Sequence, residues 1–256
     1  MWLNHSLVPL ARLVTLFSVL LAAGMLLTLP LYRFDYRRFI KSKLFIKIIF
    51  WIPIFIIFVS LLYASNSVRL VVLLVLLGVA LGELIRVLQR QKASLSIPLV
   101  YFLGFGIALM HFYAIGITYR AQAVNLLITI CFASVLADVT AFFMGNYIGK
   151  HKLPTMLNKN KSWEGVAGQL IGAFIGVLLV NAFIVPVSPF LLFLPIGIGS
   201  AAGDLANSYV KRLVNTKDWS DNIPGHGGYL DRLSSLAGAA VLTFYFLKLA
   251  APKYFV

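Results

Sequence analysis

Acidic side chains are scarce in this chain. Its 256 residues hold 8 Asp and Glu against 22 Lys and Arg, a formal net charge of +14. Charged residues of both signs make up only 12%, where a soluble domain has about a quarter. Cysteine is scarcer still, with Cys131 alone. Neither a disulfide framework nor a cysteine-based zinc site can form within the chain. The shortage of polar sequence excludes a disordered chain and argues against a soluble enzyme. A strongly basic balance marks either a nucleic-acid partner or a membrane surface. A nucleic-acid module needs a solvated basic face, and a chain that is 61% hydrophobic has too little polar sequence to build one. The expected partner is therefore the bilayer and not nucleic acid.

What the chain has in abundance is long apolar runs. A membrane span needs about 20 mostly apolar residues. Eight segments qualify, at about 8–32, 44–63, 68–85, 95–117, 121–144, 165–185, 189–209 and 233–250. The third is short and ends in Glu83 and Arg86, and the seventh carries Asp204 and Asn207. Residues 1–7 contain no Lys or Arg, so the first run is expected to be a retained helix and not a cleaved signal peptide. The expected fold is an all-α polytopic membrane protein of about eight transmembrane helices with a cytoplasm-facing polar site.

Basic residues collect in cytoplasmic loops. Here they fall in alternate connections: Arg33, Arg37, Arg38, Lys41 and Lys43; then Arg86, Arg90 and Lys92; then Lys150, Lys152, Lys159 and Lys161; then Lys211, Arg212, Lys217 and Arg232. The intervening connections hold almost none, with Arg69 and Arg120 at their edges and nothing around Pro186–Pro189. This pattern supports the span count and places both termini outside and the long polar loops in the cytoplasm. There is no linker, low-complexity segment or clear repeat. Residues 1–128 contain two acids, Asp35 and Glu83, and residues 129–256 contain the other six. The first half reads as transmembrane scaffold. The second reads as the catalytic region, with cytoplasmic loops at 145–164 and 211–232.

An ionisable residue in hydrocarbon costs about 2.5–3.5 kcal/mol on insertion scales and points to function by default. Asp138 and Asp204 stand near the cytoplasmic ends of their spans. Their plainer alternative is a structural pair with a nearby Lys or Arg. Glu83 is three residues from Arg86, which allows a simple ion pair. His111 is alone in its span, with no second ligand at helical spacing, and reads as a buried imidazole; His5 and His151 have no partner pattern either.

The densest polar stretch runs from Ser208 to Ser235. It gathers Lys211, Arg212, Lys217 and Arg232 with Asp218, Asp221 and Asp231. Its Pro224-Gly225-His226-Gly227-Gly228 turn cannot be helical, and its glycines let backbone N–H groups approach an anion. Cations and glycine backbone suit a polyphosphate, and carboxylates beside them suit Mg²⁺. The loop from Gly145 to Gly165 forms a second patch, in which Trp163 suits the interface.

Here the chain resembles the phosphatidate cytidylyltransferase family, the CDP-diacylglycerol synthases. The C-terminal family pattern is met by Ser208, Lys211, Arg212, Lys217, Asp218, Pro224, Gly225, His226, Gly227, Gly228, Asp231 and Arg232, with Gly203-Asp204-Leu205 just upstream. A second family region is met by Asp138, Gly145, Gly149, Lys150, Lys152, Leu153, Lys161, Ser162, Trp163, Glu164 and Gly165. The motifs cover about residues 130–240. Two positions depart by losing a carboxylate: the last Asp of the pattern is Ser234, and Asn207 stands where bacterial members often have Glu. Asn158-Lys159-Asn160-Lys161 also replaces the usual Ser-Pro-Lys-Lys.

The resemblance implies that CTP and phosphatidic acid give CDP-diacylglycerol and pyrophosphate, at the cytoplasmic side of a bacterial inner membrane. It implies that Asp204 and Asp231 hold Mg²⁺, with Asp218 orienting a ligand or water and a second cation such as K⁺ as an option. Lys211, Arg212, Lys217 and Arg232 would balance the triphosphate, while His226, Gly227 and Gly228 shape the turn. Asp138, Lys161, Ser162 and Glu164 would form the facing wall, with Ser208 beside the nucleotide. A homodimer is a further expectation. Ser234 and Asn207 keep open a different lipid or polyprenyl phosphate acceptor, a CTP-dependent lipid kinase, or a non-catalytic homologue; a transporter is the remaining alternative.

Overall fold

The computed structural model describes residues 10–91, 94, 96–119, 122–155, 160–184, 192–223 and 227–250. Among these residues the chain forms nine α-helices and no strand: α1 (Leu10–Thr28), α2 (Tyr36–Ile40), α3 (Lys43–Leu62), α4 (Asn66–Gln91), α5 (Ser96–Thr118), α6 (Ala123–Tyr147), α7 (Trp163–Phe183), α8 (Phe193–Leu213) and α9 (Tyr229–Ala250). A short 3-10 turn, Leu29–Tyr32, extends α1. Among the described residues each of the eight expected spans coincides with a helix. Seven are long and apolar enough to cross a membrane. The eighth, α8, carries Asp204, Lys211 and Arg212, which lower its apolar content, and it is flanked by α7 and α9. The fourth helix runs to Gln91, well past the apolar run that ends near residue 85. Leu, Arg, Val and Gln after Glu83 are adequate helix formers, so hydropathy stops there and the helix does not. The short α2 had no sequence expectation.

Local chemistry sets several helix ends. The Asp35 carboxylate accepts from the Arg37 and Arg38 amides at 3.0 and 3.1 Å and starts α2. Ser42 caps α3 through the Phe45 amide, and Ser162 caps α7 through the Gly165 amide; both satisfy donors that a helix start leaves orphaned. At the far end of α3 the Arg69 guanidinium donates to the Leu61 and Leu62 carbonyls.

The second half is the tightly packed half. In a bilayer, helices associate through close packing of small residues, because lipid is as apolar as leucine. On α7, Gly168, Gly172 and Gly176 recur every fourth residue and lie against α6. A β-carbon at Gly172 would stand 2.3 Å from the Leu136 carbonyl oxygen, and one at Gly176 2.5 Å from the Ala133 Cα. The α8–α9 crossing is equally close: a β-carbon at Gly203 would stand 2.1 Å from the Ser234 oxygen, and one at Gly199 2.4 Å from that of Gly238. These contacts bring Asp138 on α6 and Asp204 on α8 to the same end of the bundle.

Two apolar cores fill the bundle. One joins Leu13, Leu126, Ile130, Ala173, Val177 and Leu247. The other joins Leu84, Leu109, Val210, Trp219 and Leu230 beneath the polar loop that precedes α9. His111 is buried with its Nδ1 2.8 Å from the Ile107 carbonyl and its ring against Phe244 and Tyr245, as expected of a satisfied core imidazole.

Candidate functional site

Two loops close over one end of the bundle, and each is pinned by a backbone bridge. In the first, the Leu153 amide donates to the Lys161 carbonyl and the Trp163 amide to that of His151, both at 2.9 Å. In the second, Ile223 and Gly227 exchange bonds at 2.9 and 3.1 Å. Gly227 sits at φ +81, a left-handed conformation natural to glycine.

The first bridge delivers Lys161 to Asp204, and their side chains form a salt bridge. Gln169 of α7 completes the group: its Nε2 lies 3.4 Å from Asp138 Oδ1 and 3.4 Å from Asp204 Oδ2. One amide nitrogen thus reaches carboxylates of α6 and α8. Ser235 of α9 hydrogen-bonds Asp138, and the charge of Arg232 reaches the same carboxylate. Gln169 was absent from the sequence reading. Its signal was an amide within an otherwise apolar span, four residues before Ala173.

Asp231 anchors the second group. Its side chain, 3% exposed, forms a salt bridge with Lys211. Its Oδ2 accepts from the Trp219 and Gly228 amides at 2.9 and 3.0 Å, and Oδ1 lies 3.4 Å from Asn207 Nδ2. Asn207 Oδ1 accepts from the Trp219 indole at 2.7 Å and the Tyr101 hydroxyl at 3.0 Å. The two rings stack with 6.4 Å between centroids. Asn207 is therefore a structural tie between α5, the loop before α9 and α9 itself. Ser234 is buried, and its hydroxyl has no hydrogen bond among the described residues.

Of the glycine turn, Gly227 and Gly228 are described, and both spend their backbone donors within the protein. Gly227 N–H bonds Ile223, Gly228 N–H bonds Asp231, and the following Tyr229 and Leu230 amides bond Glu83 at 3.0 and 3.1 Å. Pro224, Gly225 and His226 lie outside the described residues. Glu83 is also corrected: in place of an ion pair with Arg86, its carboxylate, 1% exposed, accepts from these amides, from Ser220 Oγ at 2.6 Å and from Asn222 Nδ2 at 2.8 Å. Those donors lie more than a hundred residues away in sequence, which is why spacing did not show them.

Other expected site residues serve the scaffold. Ser162 caps α7. Glu164 lies 2.6 Å from His151 Nδ1 and also accepts the His151 amide at 3.1 Å. Arg212 donates to the Thr216 carbonyl, closing the end of α8. Ser208 is buried. Lys217, Asp218 and Arg232 are exposed on the loop side. Asp204, Asp231 and Asp218 are not gathered into one cluster: among the described residues no group of three His, Cys, Asp or Glu side chains is close enough to hold a metal.

Residues 6–250 match the family model described as "Cytidylyltransferase family". The chain belongs to this cytidylyltransferase family. It is 41% identical over 116 residues to a phosphatidate cytidylyltransferase of Brucella abortus, covering 43% of this chain and 42% of that protein. It is 32% identical over 151 residues to one of Mycobacterium leprae, covering 58% and 48%. A third, from Mycobacterium tuberculosis, is 35% identical over 120 residues, covering 46% and 37%. Each match thus spans less than half the length of the curated relative.

Proposed function

We propose that this cytidylyltransferase-family chain transfers the cytidylyl group of CTP to phosphatidic acid, forming CDP-diacylglycerol and pyrophosphate. The observation that carries the reading is the meeting of Asp138, Lys161, Gln169 and Asp204, from three helices and a loop, at the loop end of a membrane bundle. Names of the curated relatives support the same reaction. An oxygen of the lipid phosphate attacks the α-phosphorus of CTP, a new P–O bond forms, and the bond to the β-phosphate side breaks to release pyrophosphate. No protein nucleophile is needed, so the chain contributes position and charge.

The donor chemistry fits Mg²⁺, which takes oxygen ligands and shares them with substrate phosphates. Asp138 and Asp204 supply carboxylates within reach of one amide group. Asp231 fits less well as it stands, because amides, Asn207 and Lys211 occupy both its oxygens. When bound, the ion would neutralise charge on the nucleotide phosphates. Lys161 and Lys211, now paired with Asp204 and Asp231, are the cations a triphosphate would draw toward itself, with Arg212, Lys217 and Arg232 as further positive charge from the same polar stretch. The alternating basic loops support a cytoplasmic face in a bacterial inner membrane.

The test is purified protein with phosphatidic acid, Mg²⁺ and CTP labelled at either the α- or the γ-phosphate. Label from the α-position in the lipid is the expected result. Label only from γ, or none, overturns the reading. Asp204→Ala should lower turnover by about 10²–10³-fold, the usual scale for losing a preorganised charge contact.

A further inference from the structure

Gln169 is a polar residue that apolar length does not explain. It lies in the second turn of α7 and is only 2% exposed. A buried amide is costly unless its hydrogen bonds are met. Its Nε2 meets them on two acids of different helices, Asp138 of α6 and Asp204 of α8, at 3.4 Å each.

Close packing brings the amide there. On one side of α7, Gly168 and Gly172 lie against the α6 turn that carries Asp138. A β-carbon at Gly168 would stand 3.0 Å from the Ala141 Cα, and one at Gly172 2.7 Å from Thr140 Oγ1. On another side, Leu170 and Ala173 lie against α8, where a β-carbon at Gly197 would stand 2.9 Å from Leu170 Cδ2 and 3.2 Å from Ala173 Cβ. A helix turns about 100° per residue, so Gln169 falls between these two packing faces. It is the position from which a side chain reaches both neighbours.

The kind of group matters too. Each acid has a partner of its own, Ser235 for Asp138 and Lys161 for Asp204. The amide NH₂ is neutral and carries two N–H donors, so it serves one oxygen of each acid and cancels neither charge. Those two oxygens cannot stand further apart than twice 3.4 Å. Like charges held that near repel, and a donor between them offsets the repulsion.

We infer that Gln169 is a positioning residue: its amide turns the Asp138 and Asp204 carboxylates toward one point, so that two helices present a single seat for a divalent cation beside the CTP phosphates. This deepens the cytidylyltransferase reading and rests on it. A tie between helices alone would not need acids as both partners. The α6–α8 contact already has such a tie in the buried Ser134–Ser200 bond at 2.9 Å.

The experiment compares full-length wild type, Gln169→Met and Gln169→Asn in mixed micelles. Methionine keeps the bulk and removes both donors. Asparagine keeps the amide but falls one methylene short of spanning both acids. Mn²⁺, a cation suited to carboxylates, is the probe, and the spin-resonance signal of the free ion reports its binding with CTP present and lipid absent. Both variants should bind Mn²⁺ about tenfold more weakly than wild type, the low end of the range for losing a group that orients metal ligands. In initial rates the Mg²⁺ concentration for half-maximal activity should rise by a similar factor, while the lipid KM stays within about twofold. Unchanged Mn²⁺ binding in a variant that melts like wild type overturns the assignment, and so does a wild type that binds no Mn²⁺. A lowered melting temperature with the lipid KM and the Mg²⁺ requirement rising together in both variants also overturns it, leaving Gln169 a packing residue. Wild type that binds Mn²⁺ more tightly than both variants but makes no CDP-diacylglycerol sinks the proposed reaction and leaves the role of Gln169 standing.

Discussion

Glu83 shows what one buried carboxylate can organise. Its oxygens hold the first two amides of α9 together with Ser220 and Asn222 of the preceding loop. The negative charge also sits at a helix N-terminus, where the backbone dipole favours it. In Glu83→Ala these donors lose their acceptor, and each orphaned buried donor costs about 1–3 kcal/mol. The expected outcome is a melting temperature in detergent lowered by several degrees or more, with Glu83→Gln intermediate because one acceptor oxygen survives. An unchanged melting curve for Glu83→Ala would show that the loop holds itself. The site residues differed in how readable they were. Asp204 and Lys161 were legible because a charge inside an apolar run is costly and because both lie within dense motifs. Glu83, Gln169, Tyr101 and Trp219 were not, because each acquires its role from a partner that only folding brings near.

At the scale of elements, the crossings between α6 and α7 and between α8 and α9 decide the geometry of the site. Gly203 lies one residue before Asp204, and a β-carbon there would overlap the Ser234 oxygen. Gly203→Ala must push α8 from α9, and overpacking of this kind costs about 1–3 kcal/mol. Gly82 on α4 offers the contrast, with nothing within 4 Å of the added carbon, so Gly82→Ala should be neutral or stabilise the helix by up to about 1 kcal/mol. Thermal melts of the two variants in one detergent test this; equal melting temperatures would mean the α8–α9 crossing has slack. The spans themselves were legible from apolar length. Their ends were less so, because α4 and α8 continue as helices after their sequences turn polar, at Arg86 and at Lys211. The four-residue glycine steps on α7 were visible in the sequence, but what they pack against was not.

For the whole molecule, the alternation of basic loops predicts one orientation. The scarcity of thiols makes this easy to test, since Cys131 of α6 is the only one to remove. In a Cys131→Ala background, single cysteines at Ser42 and Asn215 should react with a membrane-impermeant thiol reagent in inside-out vesicles and stay protected in intact spheroplasts. Labelling of either position in spheroplasts would contradict the proposed orientation. The hydrogen bonds of Glu83 and Tyr101 also join the two halves of the chain, so neither half is expected to hold the site geometry alone.

The lysine–carboxylate pairs have a consequence for biogenesis. Asp204 is matched by Lys161 and Asp231 by Lys211, each counter-ion supplied by the chain itself. Neither carboxylate should then need an external cation before its helix settles in the bilayer. Assembly is expected to be uncoupled from ion supply, unlike domains whose fold is created by their metal. A chelator should stop product formation yet leave the melting temperature where it was, and binding a cation with its phosphates becomes an exchange of one ionic partner for another.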